Sequence, residues 1–184
     1  MRQGPYLVGH HGEAAPGFTG PRRFDGSIER TVTGYAIDGQ TGALKQVSEA
    51  SGIPASLGLA HGEARSAANN DLKDDPTPRI WAADIRLSPD GSLLYITERT
   101  TSSASAFKVD TKDGSLKFLG NYPVQEKQPR NIAFFPNGKW LLVTGEKSQT
   151  IGSYRIGDEG SLERVSEAKS GDGALWIEIL PIKP

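Results

Sequence analysis

Cysteine is absent from the 184 residues, which removes disulfides, thiolate nucleophiles and zinc ribbons together. Charge of one sign is not in excess: 21 basic side chains face 22 acidic ones, a formal net charge of -1, so nothing in the total draws the chain to nucleic acid or an anionic membrane. No apolar run approaches the roughly 18 residues of a membrane span, and the N-terminus has no signal-peptide h-region. The expectation is a cytoplasmic protein with neither nucleic acid nor membrane as a partner.

Glycine, by contrast, occurs 22 times and proline 12 times, and their positions repeat. With Pro89-Asp90-Gly91 laid on Pro136-Asn137-Gly138, two stretches coincide at an offset of 47 residues. Ile85 then meets Ile132, Leu94 and Tyr95 meet Leu141 and Leu142, and Thr97 meets Thr144. Each triplet supplies the positive-φ residues of a tight hairpin turn. A second hairpin signal follows in each stretch, "KDGSLKFLG" and "DEGSLERVS", with Gly114 and Gly160 lying 46 residues apart. A third copy of this outer hairpin, "TVTGYAIDGQTGALKQVSEA", has Gly42 in the glycine role. "GALWIEIL" at 173–180 matches the opening strand "PRNIAFFP".

Four short strands per unit at a period near 45 is the spacing of a β-propeller blade. A β-sandwich of hairpins also turns regularly, but it does not require coincidence across two whole units. The expected fold is therefore all-β, a partial propeller of about three to four antiparallel four-stranded blades, in one domain over 1–184. Residues 1–51 form an incomplete blade with a loop insertion at 12–29, and 52–78 form a long loop. Residues 79–127 and 128–172 are blades, and 173–184 open a further one. The two loop segments are rich in Gly, Pro, Ala and Asn without an apolar period, and loops of such length are either functional lids or plain insertions.

In "RIWAADIRLSPDG", "LLYITERT", "QPRNIAFFPNGKWLLVTGEKS" and "GALWIEI" the chain resembles the seven-bladed propeller lactonases. Bacterial 6-phosphogluconolactonases are the nearer kin and muconolactone cycloisomerases the more distant. The likeness is dense from Arg79 to Ile179, weaker over residues 5–51, and corresponds to the C-terminal part of the family. It implies a cytoplasmic carbohydrate-metabolism hydrolase of the pentose phosphate pathway, acting without cofactor or bound metal on a small sugar lactone. Two copies of the chain, or a partner chain, would complete the ring.

In a blade, the loop entering the innermost strand and the loop joining the second strand to the third open on one mouth. The entering loops hold Arg79, Trp81, Gln128, Arg130 and Trp176; the second-to-third loops hold His10, His11, Glu98, Arg99, Glu146 and Lys147. Arg99 and Arg130 are the foremost candidates, because a guanidinium is a rigid, permanently charged fork that fits phosphate or carboxylate. The resemblance implies that arginines at these positions hold the substrate and its developing charge; the alternative is two surface arginines. It also implies a Glu where His10 stands, together with a His from an earlier blade. His10 is then a substitute base, titrating near neutrality, or a polar loop residue. A metal at His10-His11 would need a turn, since adjacent side chains of an extended segment point oppositely. Glu146 shares the blade position of Arg99 and is the better-placed carboxylate, while Lys147 adds a point charge or is merely solvated. Trp81 and Trp176 stack on a sugar ring or wedge blades together. The alternative to a lactonase is a catalytically inactive propeller fragment, an anion- or sugar-binding module.

Overall fold

The computed structural model describes residues 30–62 and 76–180. Ten antiparallel strands appear among them: β1 (Thr31–Ile37), β2 (Leu44–Ser51), β3 (Ala82–Leu87), β4 (Leu93–Glu98), β5 (Ser103–Val109), β6 (Leu116–Pro123), β7 (Pro129–Phe134), β8 (Trp140–Gly145), β9 (Thr150–Ile156) and β10 (Leu162–Lys169). They form a two-stranded sheet, β1-β2, and two four-stranded sheets, β3-β4-β5-β6 and β7-β8-β9-β10. Each four-stranded sheet is a meander in sequence order, as expected of a blade.

The turns explain the register. Gly91 and Gly138 hold φ of 75° and 69° in the first hairpin of each blade, where a Cβ would be strained. Gly42, Gly114 and Gly160 take φ of 72°, 75° and 71° in the outer hairpins. The pairing slips once in each outer hairpin, at Gly34/Tyr35, Ala106/Phe107 and Arg164/Ser166. That shared bulge identifies β1-β2 as the third and fourth strands of a blade, and bulges of this kind bend and twist a strand. The expected partner strand at residues 5–10, and the insertion at 12–29, lie outside the described residues.

Two apolar layers hold the sheets face to face. Val32, Ile53, Leu59, Ile80, Leu94, Ile96, Phe107 and Val109 pack between the β1-β2 sheet and the first whole blade. Tyr95, Ala104, Ala106, Ile132, Leu141, Val143 and Tyr154 pack between the two whole blades. Phe107 is fully buried, and enclosing a side chain of that size contributes about 1.5–3 kcal/mol. Residues 52–62 are irregular apart from a short 3-10 turn at Ala55–Leu57, yet they are not peripheral: Ile53 and Leu59 are buried. A Cβ on Gly52 would stand 2.7 Å from both Ile96 and Phe107, so the glycine lets the connecting backbone lie directly on the blade. Arg30 donates to the carbonyls of Pro54 (3.3 Å) and Leu59, stitching the same segment down.

The innermost strands β3 and β7 lie side by side, joined by a polar device. Asp84 Oδ2 accepts hydrogen bonds from the Ile132 N–H (3.0 Å), Asn131 Nδ2 (2.5 Å) and Arg86 Nε (3.2 Å). Asn131, 47 residues after Asp84, repeats the contact by accepting the Ile177 N–H at 2.9 Å. Residues 173–180 thus lie against β7 as a following inner strand would, without forming a ladder of their own.

Candidate active site

β3 and β7 begin, and β4 and β8 end, on the same rim, so the loops at these ends meet. The Arg99 N–H donates to the Trp81 carbonyl at 2.9 Å, and the Glu146 N–H donates to the Gln128 carbonyl at 3.1 Å. One backbone bond, made twice, places Arg99 and Glu146 at equivalent points on neighbouring blades. Their side chains then turn toward each other: Arg99 Nη2 lies 2.5 Å from Glu146 Oε2 and 3.2 Å from Gln128 Oε1. Arg130, the second residue of β7, brings Nη1 to 3.9 Å from the same Glu146 oxygen. Arg99, Gln128, Arg130 and Glu146 therefore form one cluster drawn from two blades.

The cluster is graded in burial. The Arg99 side chain is 12% exposed, Glu146 24% and Arg130 41%, so the inner guanidinium is clamped and the outer one meets solvent. Gln128 holds φ of 53°, a left-handed conformation that costs a non-glycine residue roughly 1–2 kcal/mol. Ser102, Gln149 and Glu159 share that conformation in other turns; Gln128 is the one of the four whose amide oxygen receives Arg99.

Glu98 and Arg99 part ways, as their alternation requires. Glu98 is completely buried, and its carboxylate accepts the Trp81 N–H (2.9 Å), the Thr100 N–H (3.1 Å), the Thr101 N–H (2.6 Å) and the Thr101 hydroxyl (2.7 Å). It ties the entering loop to the turn that presents Arg99. Its counterpart in the next blade is Gly145, where a Cβ would press within 2.2 Å of Ser148 Oγ.

Of the remaining candidates, Trp81 stays beside the cluster through its backbone. Lys147 is exposed on the same loop, its N–H donating to the Lys127 carbonyl at 3.1 Å. Trp176, 64% exposed, does not join them; its ring lies 4.8 Å from the Arg86 guanidinium, further along the inner strands. Arg79 donates to the His61 carbonyl at 3.0 Å. His10 and His11 lie outside the described residues. Among the described residues no cluster of three His, Asp or Glu side chains suits a metal ion, and no helix is long and apolar enough to cross a membrane.

Asp84 and Asn131 escaped the sequence reading, which placed Glu98 among the mouth loops but not as the buried tie it proves to be. Asp84 and Asn131 left a signal, being hydrogen-bonding side chains at one repeat position of an inner strand. The repeat did not announce the buried role of Glu98, because its counterpart in the next blade is Gly145.

A family description, the 7-bladed beta-propeller lactonases, matches residues 27–179. A 6-phosphogluconolactonase of Blochmanniella pennsylvanica is 41% identical over 105 residues, 56% of this chain and 31% of that protein. One of Pectobacterium carotovorum is 31% identical over 156 residues, 84% of this chain and 41% of that protein. The solved structure of a periplasmic gluconolactonase from Pseudomonas aeruginosa superposes with a TM-score of 0.59 at 21% identity, covering 81% of this chain and 36% of the other, which bears on the fold alone. The chain spans about two fifths or less of the length of these proteins. With its paired four-stranded blades and a match reaching over most of its length, the chain belongs to the seven-bladed β-propeller lactonase family.

Proposed function

We propose that the chain provides the substrate-holding rim of a lactonase that opens a phosphorylated sugar lactone of the 6-phosphogluconolactone type. One observation carries the reading: two guanidinium groups from neighbouring blades, Arg99 and Arg130, converge on a single point at one end of the inner strands. The similarity to proteins named 6-phosphogluconolactonase supports the choice of substrate class.

In this reading Arg130, the more exposed arginine, takes an anionic oxygen of the substrate, and Arg99 fixes the geometry beside it. Water adds to the lactone carbonyl, negative charge collects on the carbonyl oxygen, and the ring C–O bond then breaks as its oxygen takes up a proton. A single well-placed donor to that oxygen is worth roughly 10²–10³ in rate, and a general base contributes about 10²–10⁴. His10 is the proposed base. Glu146 is engaged with Arg99, which suits it to steadying a cation more than to taking a proton. Trp81 and Lys147 flank the substrate, and a second copy or another chain supplies the remaining blades of the channel; light scattering that finds only monomers would remove this last element.

The test is hydrolysis of 6-phosphogluconolactone by the purified protein, corrected for the spontaneous reaction. Arg130→Ala is expected to lower kcat/KM by about 10²–10³, and Arg130→Lys to restore only part of it, since an ammonium lacks the fork. Wild-type hydrolysis no faster than the spontaneous rate, with anion binding intact, would favour a non-catalytic binding module instead.

A further inference from the structure

Glu146 sets a carboxylate oxygen between two guanidiniums, at 2.5 Å from Arg99 and 3.9 Å from Arg130. A carboxylate oxygen between two cations mimics a substrate carboxylate or phosphate oxygen in both charge and size. The backbone of Glu146 is tied to the Gln128 carbonyl, and the Gln128 amide oxygen receives the same Arg99 nitrogen that Glu146 holds.

Charge balance gives this contact a consequence. Arg99 and Arg130 contribute two positive charges and Glu146 one negative charge, so the trio is left with a net charge of +1. Glu98, buried behind the rim, holds a further negative charge against the Trp81, Thr100 and Thr101 N–H groups. Without Glu146 two like charges would face each other across a half-buried space, where repulsion is weakly screened. With it, Arg99 is held in its own ion pair and Arg130 remains within reach of solvent.

We propose that Glu146 is a positioning and selectivity residue of the rim. It locks Arg99 through an internal ion pair and directs the incoming anionic group to Arg130, so that a ligand binds against the negative charge Glu146 already supplies. The proposal rests on reading the rim as an anion site, and it adds that the site's affinity is deliberately held down by a built-in competitor. The ligand chemistry is an oxyanion, phosphate or carboxylate, able to share Arg130.

The experiment is calorimetric titration with inorganic phosphate at fixed low ionic strength, using wild type, Glu146→Gln, Glu146→Asp and Arg130→Ala. Removing the competing charge in Glu146→Gln is expected to tighten phosphate binding about tenfold, and raising the salt to shrink that gain. Glu146→Asp keeps the charge and should stay near wild type. Arg130→Ala should weaken binding more than about tenfold, alone or combined with Glu146→Gln. A merely structural Glu146 would lower the unfolding midpoint of Glu146→Gln and leave phosphate affinity unmoved or weaker, and that result overturns the proposal. Absence of phosphate affinity in both wild type and Glu146→Gln overturns it too. Tighter binding by Glu146→Gln in a protein that does not hydrolyse lactones would uphold the proposal and sink only the enzymatic reading.

Discussion

Replacing Asp84 with alanine cuts the joint between the two inner strands, and its cost follows from what is left behind. Three donors converge on Asp84 Oδ2: the Ile132 N–H, Asn131 Nδ2 and Arg86 Nε. Arg86, with its side chain 34% exposed, turns to water. Ile132 and Asn131, at 0% and 2% exposure, have no such recourse. An unsatisfied buried donor costs about 1–3 kcal/mol, so two of them put the loss at roughly 3–4 kcal/mol, nearer 2 if water enters the gap. Asp84→Asn keeps a carbonyl acceptor for the three donors but turns its amide nitrogen toward the Ile85 N–H, which Asp84 Oδ1 accepts at 2.9 Å, and should cost about 1–2 kcal/mol. With a urea m-value of about 2 kcal/mol/M for a chain of this size, the alanine variant moves the unfolding midpoint by about 1.5–2 M. Tryptophan fluorescence and far-UV circular dichroism, followed in parallel, measure the shift and test whether the blades melt together, since repeat architectures lose cooperativity at weak interfaces. A loss below about 1 kcal/mol for the alanine variant, or an asparagine variant as damaged as the alanine one, would refute the joint as described.

Further outcomes follow from other parts of the fold. A Cβ on Gly152 would stand 2.3 Å from Glu126 Oε1, so Gly152→Ala should cost about 1–3 kcal/mol in wild type and much less once Glu126 is also alanine; urea unfolding of the four proteins reads the coupling. Gly138→Ala forces a Cβ into φ of 69° and should lower stability by about 1 kcal/mol with the fold unchanged, measured by thermal melting. Asp90 has its carboxyl held below the usual carboxylate range, first by the Ser88 hydroxyl and then by the Ser92 N–H. A depressed folded-state pKa means the stabilisation is fully present above the unfolded value near 3.9 and is lost as pH falls through the folded value. The stability gap between wild type and Asp90→Ala should therefore be constant from pH 5 to 7 and close on acidification below about pH 4.

The repeat made most of the fold legible. Pro89-Asp90-Gly91 and Pro136-Asn137-Gly138 mark hairpins through backbone geometry that glycine alone adopts without strain, and that is a local property. The grouping of strands by fours followed because strands at equal spacing bury equal faces. The segment 52–62 was legible as irregular but not as buried: Ile53 and Leu59 sit among Gly, Pro and Ser residues that mark loops by composition. What buries them is a neighbouring blade face, a long-range fact that no window of sequence contains.

The site divides along the same physical line. Position in the repeat brought Arg99, Gln128, Arg130 and Glu146 to one rim, because backbone bonds recurring every 47 residues aim them there. Position did not say which charges would neutralise each other. The same repeat logic puts Glu98 beside Arg99 in the chain, yet Glu98 is consumed by backbone donors while Glu146, from the next blade, becomes the partner of Arg99. Strand alternation decides the matter: adjacent residues diverge, and equivalent residues on adjacent blades converge. An acidic residue one blade away therefore tunes an arginine more strongly than one in the next peptide unit. In a fold built from repeated blades, the charge balance of a rim is read by comparing equivalent positions on neighbouring blades, and Glu146→Gln is the substitution expected to change it here.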